Sequence, residues 1–78
     1  MKTVTLYTKL GCHLCQAAEA VIAAVLRMHA FHFVRRDITE DPADYERYSN
    51  DIPVILVDGV ELARHGITRE QLAAAIAE

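Results

Sequence analysis

Apolar and polar residues alternate from Lys2 to Thr8, with Val4 and Leu6 set against Thr3, Thr5 and Tyr7, and this period of two predicts a strand. Gly11 then permits a tight bend. From His13 to about Met28 the period becomes helical and puts Cys15, Ala18, Ile22, Val25, Leu26 and His29 on one face. Phe31 to Arg36 is a second strand. Asp41-Pro42 opens a second helix, with Asp as N-cap and Pro at the first helical position. That helix carries Tyr45 and Tyr48 as a packing stripe and frays by Ser49-Asn50. Pro53 to Val57 is a short, wholly apolar strand expected to be covered on both faces. Asp58-Gly59 is a two-residue hairpin signal leading into Val60 to Arg64. Thr68-Arg69-Glu70-Gln71 forms a capping box for a last helix that buries Leu72 and Ile76.

The order βαβαββα belongs to the α/β class. Its first strand–helix–strand unit should be a right-handed parallel crossover. If the third strand pairs antiparallel with the first, Pro53 lies beside the end of strand one, close to Cys12. Strand four then returns His65-Gly66 to the same edge. A different strand order would separate these segments.

The chain has 78 residues, 53% of them hydrophobic, which suits one small domain over residues 1–78 with a core of its own. Net charge is −3 and no basic cluster exceeds Arg35-Arg36, which argues against nucleic acid as a partner. The longest apolar run, Ala20 to Leu26, is too short to span a bilayer. The opening MKTVTLYT reads as a strand and not as a secretory segment. A cytoplasmic monomer is therefore expected, in a compartment where disulfides are transient.

The only two cysteines, Cys12 and Cys15, stand three apart in GCHLC, with His13 and Leu14 between them. At that spacing in the first helical turn their Cα atoms lie about 5 Å apart, within reach of a disulfide that opens and closes with little backbone movement. The helix N-terminus favours a thiolate on Cys12, whereas Cys15, one turn in, is more buried. Cys12, Cys15, His29 and His32 also come near a zinc-finger spacing. A helix across residues 15–29 would hold His29 roughly 20 Å from Cys15, so no metal is assigned through those histidines. Two core thiols at helical spacing is the plainer alternative. His13 tunes the thiolate or is a solvated helix-start residue, with equal weight on either side.

CHLC after a first strand, Ile-Pro before an apolar strand, and then a hairpin and a last helix resemble the thioredoxin fold in its short glutaredoxin-like form, of the Cys-His-x-Cys type. The similarity spans essentially the whole chain and implies a four-stranded mixed sheet flanked by three helices. It also implies a thiol–disulfide oxidoreductase, with Cys12 as nucleophile and Cys15 as resolving cysteine. Pro53 matches the cis-proline facing the disulfide, and Ile52 the residue that offers backbone hydrogen bonds to a bound thiol peptide. Lys9 matches a lysine that meets a glutathione carboxylate, and Gly66 the glycine of the loop holding the tripeptide's other end. The Pro-Tyr of common glutaredoxins is absent between the cysteines, and their Gly-Gly-Cys-Asp loop is His65-Gly66-Ile67-Thr68 here. Thr68 thus stands where the family supplies a carboxylate. The implied partners are a disulfide-containing protein or small thiol, and glutathione or a reductase as electron source, with no bound cofactor. The alternatives from other classes are a metal or iron–sulfur carrier using Cys12 and Cys15, and a binding module on the same fold.

Overall fold

The alternation at the start of the chain becomes β1 (Thr3–Thr8), with Val4, Leu6 and Thr8 buried on one face and Thr3, Thr5 and Tyr7 half-buried on the other. The computed structural model describes residues 1–78. Next comes α1 (His13–Leu26), which buries the stripe Cys15, Ala18, Ile22 and Val25. The helix ends two residues earlier than its pattern suggests. The Met28 and His29 N–H groups both turn back to the Val25 carbonyl at 2.9 Å. Leu26 and His29 consequently lie at the open end of the helix, exposed, apart from the buried stripe.

Phe31 is buried just before β2 (His32–Asp37). A single 3₁₀ turn, Ile38–Glu40, follows and was not legible as an element. Asp37 opens it by accepting from the Thr39 N–H at 2.8 Å and the Thr39 hydroxyl at 2.6 Å. This turn drives Ile38 into full burial. Asp41 caps α2 (Pro42–Tyr48), accepting from the Ala43 N–H at 2.9 Å, with proline in the first turn as anticipated. Tyr45 remains 46% exposed, so Tyr48 alone of the two tyrosines packs closely.

The apolar run yields β3 (Val54–Val57), and the Asp58-Gly59 turn yields β4 (Val60–Arg64). Asp58 and Gly59 both have positive φ, 51° and 83°, as a primed hairpin turn requires. Thr68 and Gln71 then make the expected reciprocal capping box at the start of α3 (Arg69–Ala77).

The sheet order is β2-β1-β3-β4, with β1 and β2 parallel and the other pairs antiparallel. Leu62 is the extra residue of a bulge between the Ile55–Ala63 and Leu56–Glu61 pairs. Val4, Leu6 and Ile55 meet Ala18, Ile22 and Val25 of α1 and Leu72 of α3, and with Phe31 they form the main core. Val54 and Ile55 are adjacent and both fully buried, so the start of β3 is covered on its two faces. Further along, Leu56 and Val57 are only half-buried. No helix is long and apolar enough to cross a membrane.

Candidate functional site

Beyond β1 the chain reverses over Lys9–Cys12. The Cys12 N–H donates to the Lys9 carbonyl at 3.2 Å, and Gly11 at the third position of the turn has φ +83°. A left-handed residue there is what a type II turn needs, and glycine supplies it without strain. The turn delivers Cys12 in extended conformation as the N-cap of α1. Its Sγ takes the place usually held by a serine or aspartate oxygen and accepts the Cys15 N–H at 3.1 Å. Cys12 and Cys15 form a disulfide with Cα atoms 5.2 Å apart. Cys12 is half-buried, whereas Cys15 is 1% exposed. The N-cap position and this N–H contact thus distinguish the Cys12 sulfur from that of Cys15, which lies inside the first turn.

Strand pairing sets what faces this turn. Tyr7 pairs with Val54, the last pair of the β1–β3 register, so Pro53 stands just before the paired stretch, at the end of β1 that leads to the Cys12 turn. The Ile52–Pro53 peptide is cis. The Asp51–Pro53 segment is held on two sides. On one, the Tyr48 carbonyl accepts the N–H groups of Asp51 at 2.8 Å and Ile52 at 3.1 Å. On the other, the His65 N–H is shared between the Pro53 carbonyl at 2.7 Å and the Asp51 carbonyl at 3.3 Å. The Ile52 carbonyl, by contrast, takes part in no hydrogen bond. The N–H is already committed.

His65 is a non-glycine residue at φ 68°, a conformation tolerated only when surrounding bonds impose it. Its Nε2 lies 3.7 Å from Asp51 Oδ1, and Arg64 reaches the other oxygen of that carboxylate at 3.4 Å. Two 2.8 Å hydrogen bonds join Arg64 to Glu61. They hold the Glu61 carboxyl below its usual range and push the guanidinium higher still. Asp51 and Arg64 escaped the sequence reading because no motif marks them, and only the return of β4 brings them together.

The remaining candidates divide. Gly66 follows His65 at the same sheet end, but neither a left-handed φ nor any atom within 4 Å of a built Cβ demands glycine there. Thr68 takes part in the cap of α3: its hydroxyl accepts the Gln71 N–H at 3.1 Å, and its own N–H donates to the Gln71 side chain at 2.9 Å. Lys9 and His13 are exposed beside Cys12, with Leu10 at 88% and Leu14 at 57% exposure. No acidic side chain occurs from Lys9 to Ala18, and Lys9 is the one lysine or arginine of that segment. A second feature missed from sequence is the stacking of Tyr7 on Tyr48, with ring centroids 4.3 Å apart. Burial first, and then the Asp44 carboxylate, push the Tyr7 phenol above its ordinary value. No group of three or more His, Cys, Asp or Glu side chains is placed to hold a metal ion.

A family model described as Glutaredoxin-like domain (DUF836) matches residues 3–77. Among solved structures, protein Ne2328 from Nitrosomonas europaea is 19% identical, with 96% of this chain and 91% of that one covered and a TM-score of 0.81. Protein XcR50 from X. campestris is 29% identical over 95% of each chain, with a TM-score of 0.79. Thioredoxin-2 of a malaria parasite is 18% identical, covering 99% of this chain and 82% of its own, with a TM-score of 0.76. The fold is thioredoxin-like, and the Cys12–Cys15 pair suits redox chemistry in general.

Proposed function

We propose that this chain, which belongs to the glutaredoxin-like domain family, is a dithiol–disulfide oxidoreductase. The observation that carries this is the asymmetry of the two sulfurs: Cys12 caps a helix and accepts an N–H, while Cys15 is buried one turn deeper. The Cys12 thiolate attacks one sulfur of a substrate disulfide, forming a mixed disulfide and releasing the first substrate thiolate. Cys15 gives up its proton and attacks the Cys12 sulfur, releasing the second. Two electrons pass to the substrate, which leaves as two thiols, and the Cys12–Cys15 disulfide remains. Such a disulfide closes almost no loop, so it is better suited to turning over than to stapling the fold. Lys9, Gly11, His13, Leu14, Ile52, Pro53, His65, Gly66 and Thr68 are assigned to substrate binding or tuning, in a cytoplasmic setting with glutathione or a reductase as electron source.

Trapping tests the assignment. Cys15→Ser should accumulate a mixed disulfide with a target, and Cys12→Ser should not. Adducts on Cys12→Ser, and none on Cys15→Ser, would reverse the roles. A pair that stays unchanged across a glutathione redox buffer would point instead to a binding module, and a coloured, iron-containing preparation to a carrier.

A further inference from the structure

We propose that Tyr7 and Tyr48 are positioning residues whose stacked rings hold the Asp51–Pro53 segment, so that the Ile52 carbonyl is presented as a hydrogen-bond acceptor for the substrate. This rests on the oxidoreductase reading above, and it assigns the two tyrosines a role that neither sequence pattern nor family likeness supplies.

Tyr48 is the last residue of α2, and its backbone and side chain act on different neighbours. The carbonyl takes the N–H groups of Asp51 and Ile52 at 2.8 and 3.1 Å. The ring lies against Tyr7 at 4.3 Å with the planes inclined by 31°. Tyr7 belongs to β1, pairs with Val54, and stands one residue before the end of the strand that leads to the Cys12 turn. The stack is closed at both ends, by the Arg36 guanidinium 5.9 Å from the Tyr7 ring centre and by that of Arg47 at the same distance from Tyr48. Arg36 also reaches Asp44 at 3.5 Å, which ties α2 to β2.

A helix of seven residues does not hold itself in place, and α2 buries none of its residues fully. Its last turn depends on side chains to fix it to the sheet, and the aromatic stack is the contact nearest the Asp51–Pro53 segment in sequence. From the opposite side the His65 N–H occupies the carbonyls of Asp51 and Pro53. Of the three successive carbonyls, that of Ile52 is left without a partner. Loosening the stack therefore moves the one open acceptor and leaves the sulfurs alone, since no hydrogen bond joins either tyrosine side chain to Cys12 or Cys15.

The test uses the full chain and a peptide disulfide as substrate. Tyr48→Leu removes the ring and keeps the carbonyl, and it should raise KM about fivefold with kcat and the rate of Cys12 alkylation unchanged. Tyr48→Phe keeps the stack and should stay within about twofold of wild type. In the oxidised protein, amide hydrogen exchange at Asp51 and Ile52 should quicken about fivefold in Tyr48→Leu while the β1–β3 ladder keeps its protection. If that variant does not fold, Tyr7→Val removes the partner ring from the strand side and should give the same pair of results. Unchanged KM with unchanged exchange at Asp51 and Ile52 overturns the proposal. So does a fall in kcat accompanied by loss of ladder protection, which is what a purely structural role would produce. A wild-type protein that does not turn over the peptide disulfide removes the oxidoreductase reading, and the local exchange rates then decide the clamp on their own.

Discussion

On the oxidoreductase reading, Thr68 is the residue expected to limit what the site accepts. The glutaredoxin position it matches supplies a carboxylate to the ammonium of glutathione, and here the hydroxyl oxygen and the N–H of the residue both take part in the α3 capping box. A hydroxyl carries no charge, and a charge-assisted hydrogen bond is roughly twice as strong as a neutral one. Handling of glutathione should therefore be weak compared with common glutaredoxins. Aspartate caps a helix about as well as threonine, so Thr68→Asp should fold normally. Its added carboxylate is expected to increase turnover of a glutathione mixed disulfide severalfold, with reduction of a generic protein disulfide little altered. Steady-state rates with the two substrates check this. Equal rates in wild type and variant would mean that the loop contributes no charge recognition.

At the scale of elements, two carboxylates link the ends of strands to pH. Asp37 is held below its ordinary value by the hydrogen bonds from the Thr39 side chain and backbone that open the 3₁₀ turn. Glu61 on β4 is held low by its hydrogen bonds from Arg64. A carboxyl depressed by folding contributes stability that is fully present above its unfolded value and lost as pH falls through the folded one. The window for both lies below about pH 4, from ordinary carboxyl values near 3.9 and 4.3. Asp37 is partly and Glu61 largely open to solvent, so screening keeps each effect modest. Urea midpoints measured from neutral to strongly acidic pH should decline across that window. Asp37→Asn with Glu61→Gln should flatten the decline, and an unaltered slope in the double variant would show that other carboxyls govern it.

For the molecule as a whole, stability has few reserves. A chain of 78 residues is held by roughly 4–12 kcal/mol at the usual margin per residue. Ile22 lies fully buried on α1 within the cluster shared by β1, β3 and α3. Ile22→Ala should cost about 2–5 kcal/mol, the range for deleting a large aliphatic side chain from a packed core. Denaturant titration of the oxidised protein measures this. A loss under 1 kcal/mol would show that the helices close over the gap by repacking, as roughly expected only where a site can collapse. The same cluster carries Ala18, one turn beyond Cys15, so the core that stabilises the chain also fixes the helix presenting the sulfurs.

Much of this was decided by the sequence alone. Strand and helix periods depend on near neighbours, and so do the Asp58-Gly59 turn and the Thr68–Gln71 box, which is why the element order was legible. The placement of Cys12 and Cys15 at the start of a helix, after Gly11, was legible for the same reason. The 3₁₀ turn at Ile38–Glu40 was not, since three residues leave too short a period to detect. Tertiary structure decided the rest. Only the pairing of β3 with β1, Val54 against Tyr7, brings Pro53 to the end of β1, and only the return of β4 lets the His65 N–H reach the carbonyls of Asp51 and Pro53. Periodicity names which residues face inward, but it carries no record of which distant donor meets which acceptor. That is why Tyr7, Tyr48, Asp51 and Arg64 became visible only once long-range contacts had closed around the segment before β3.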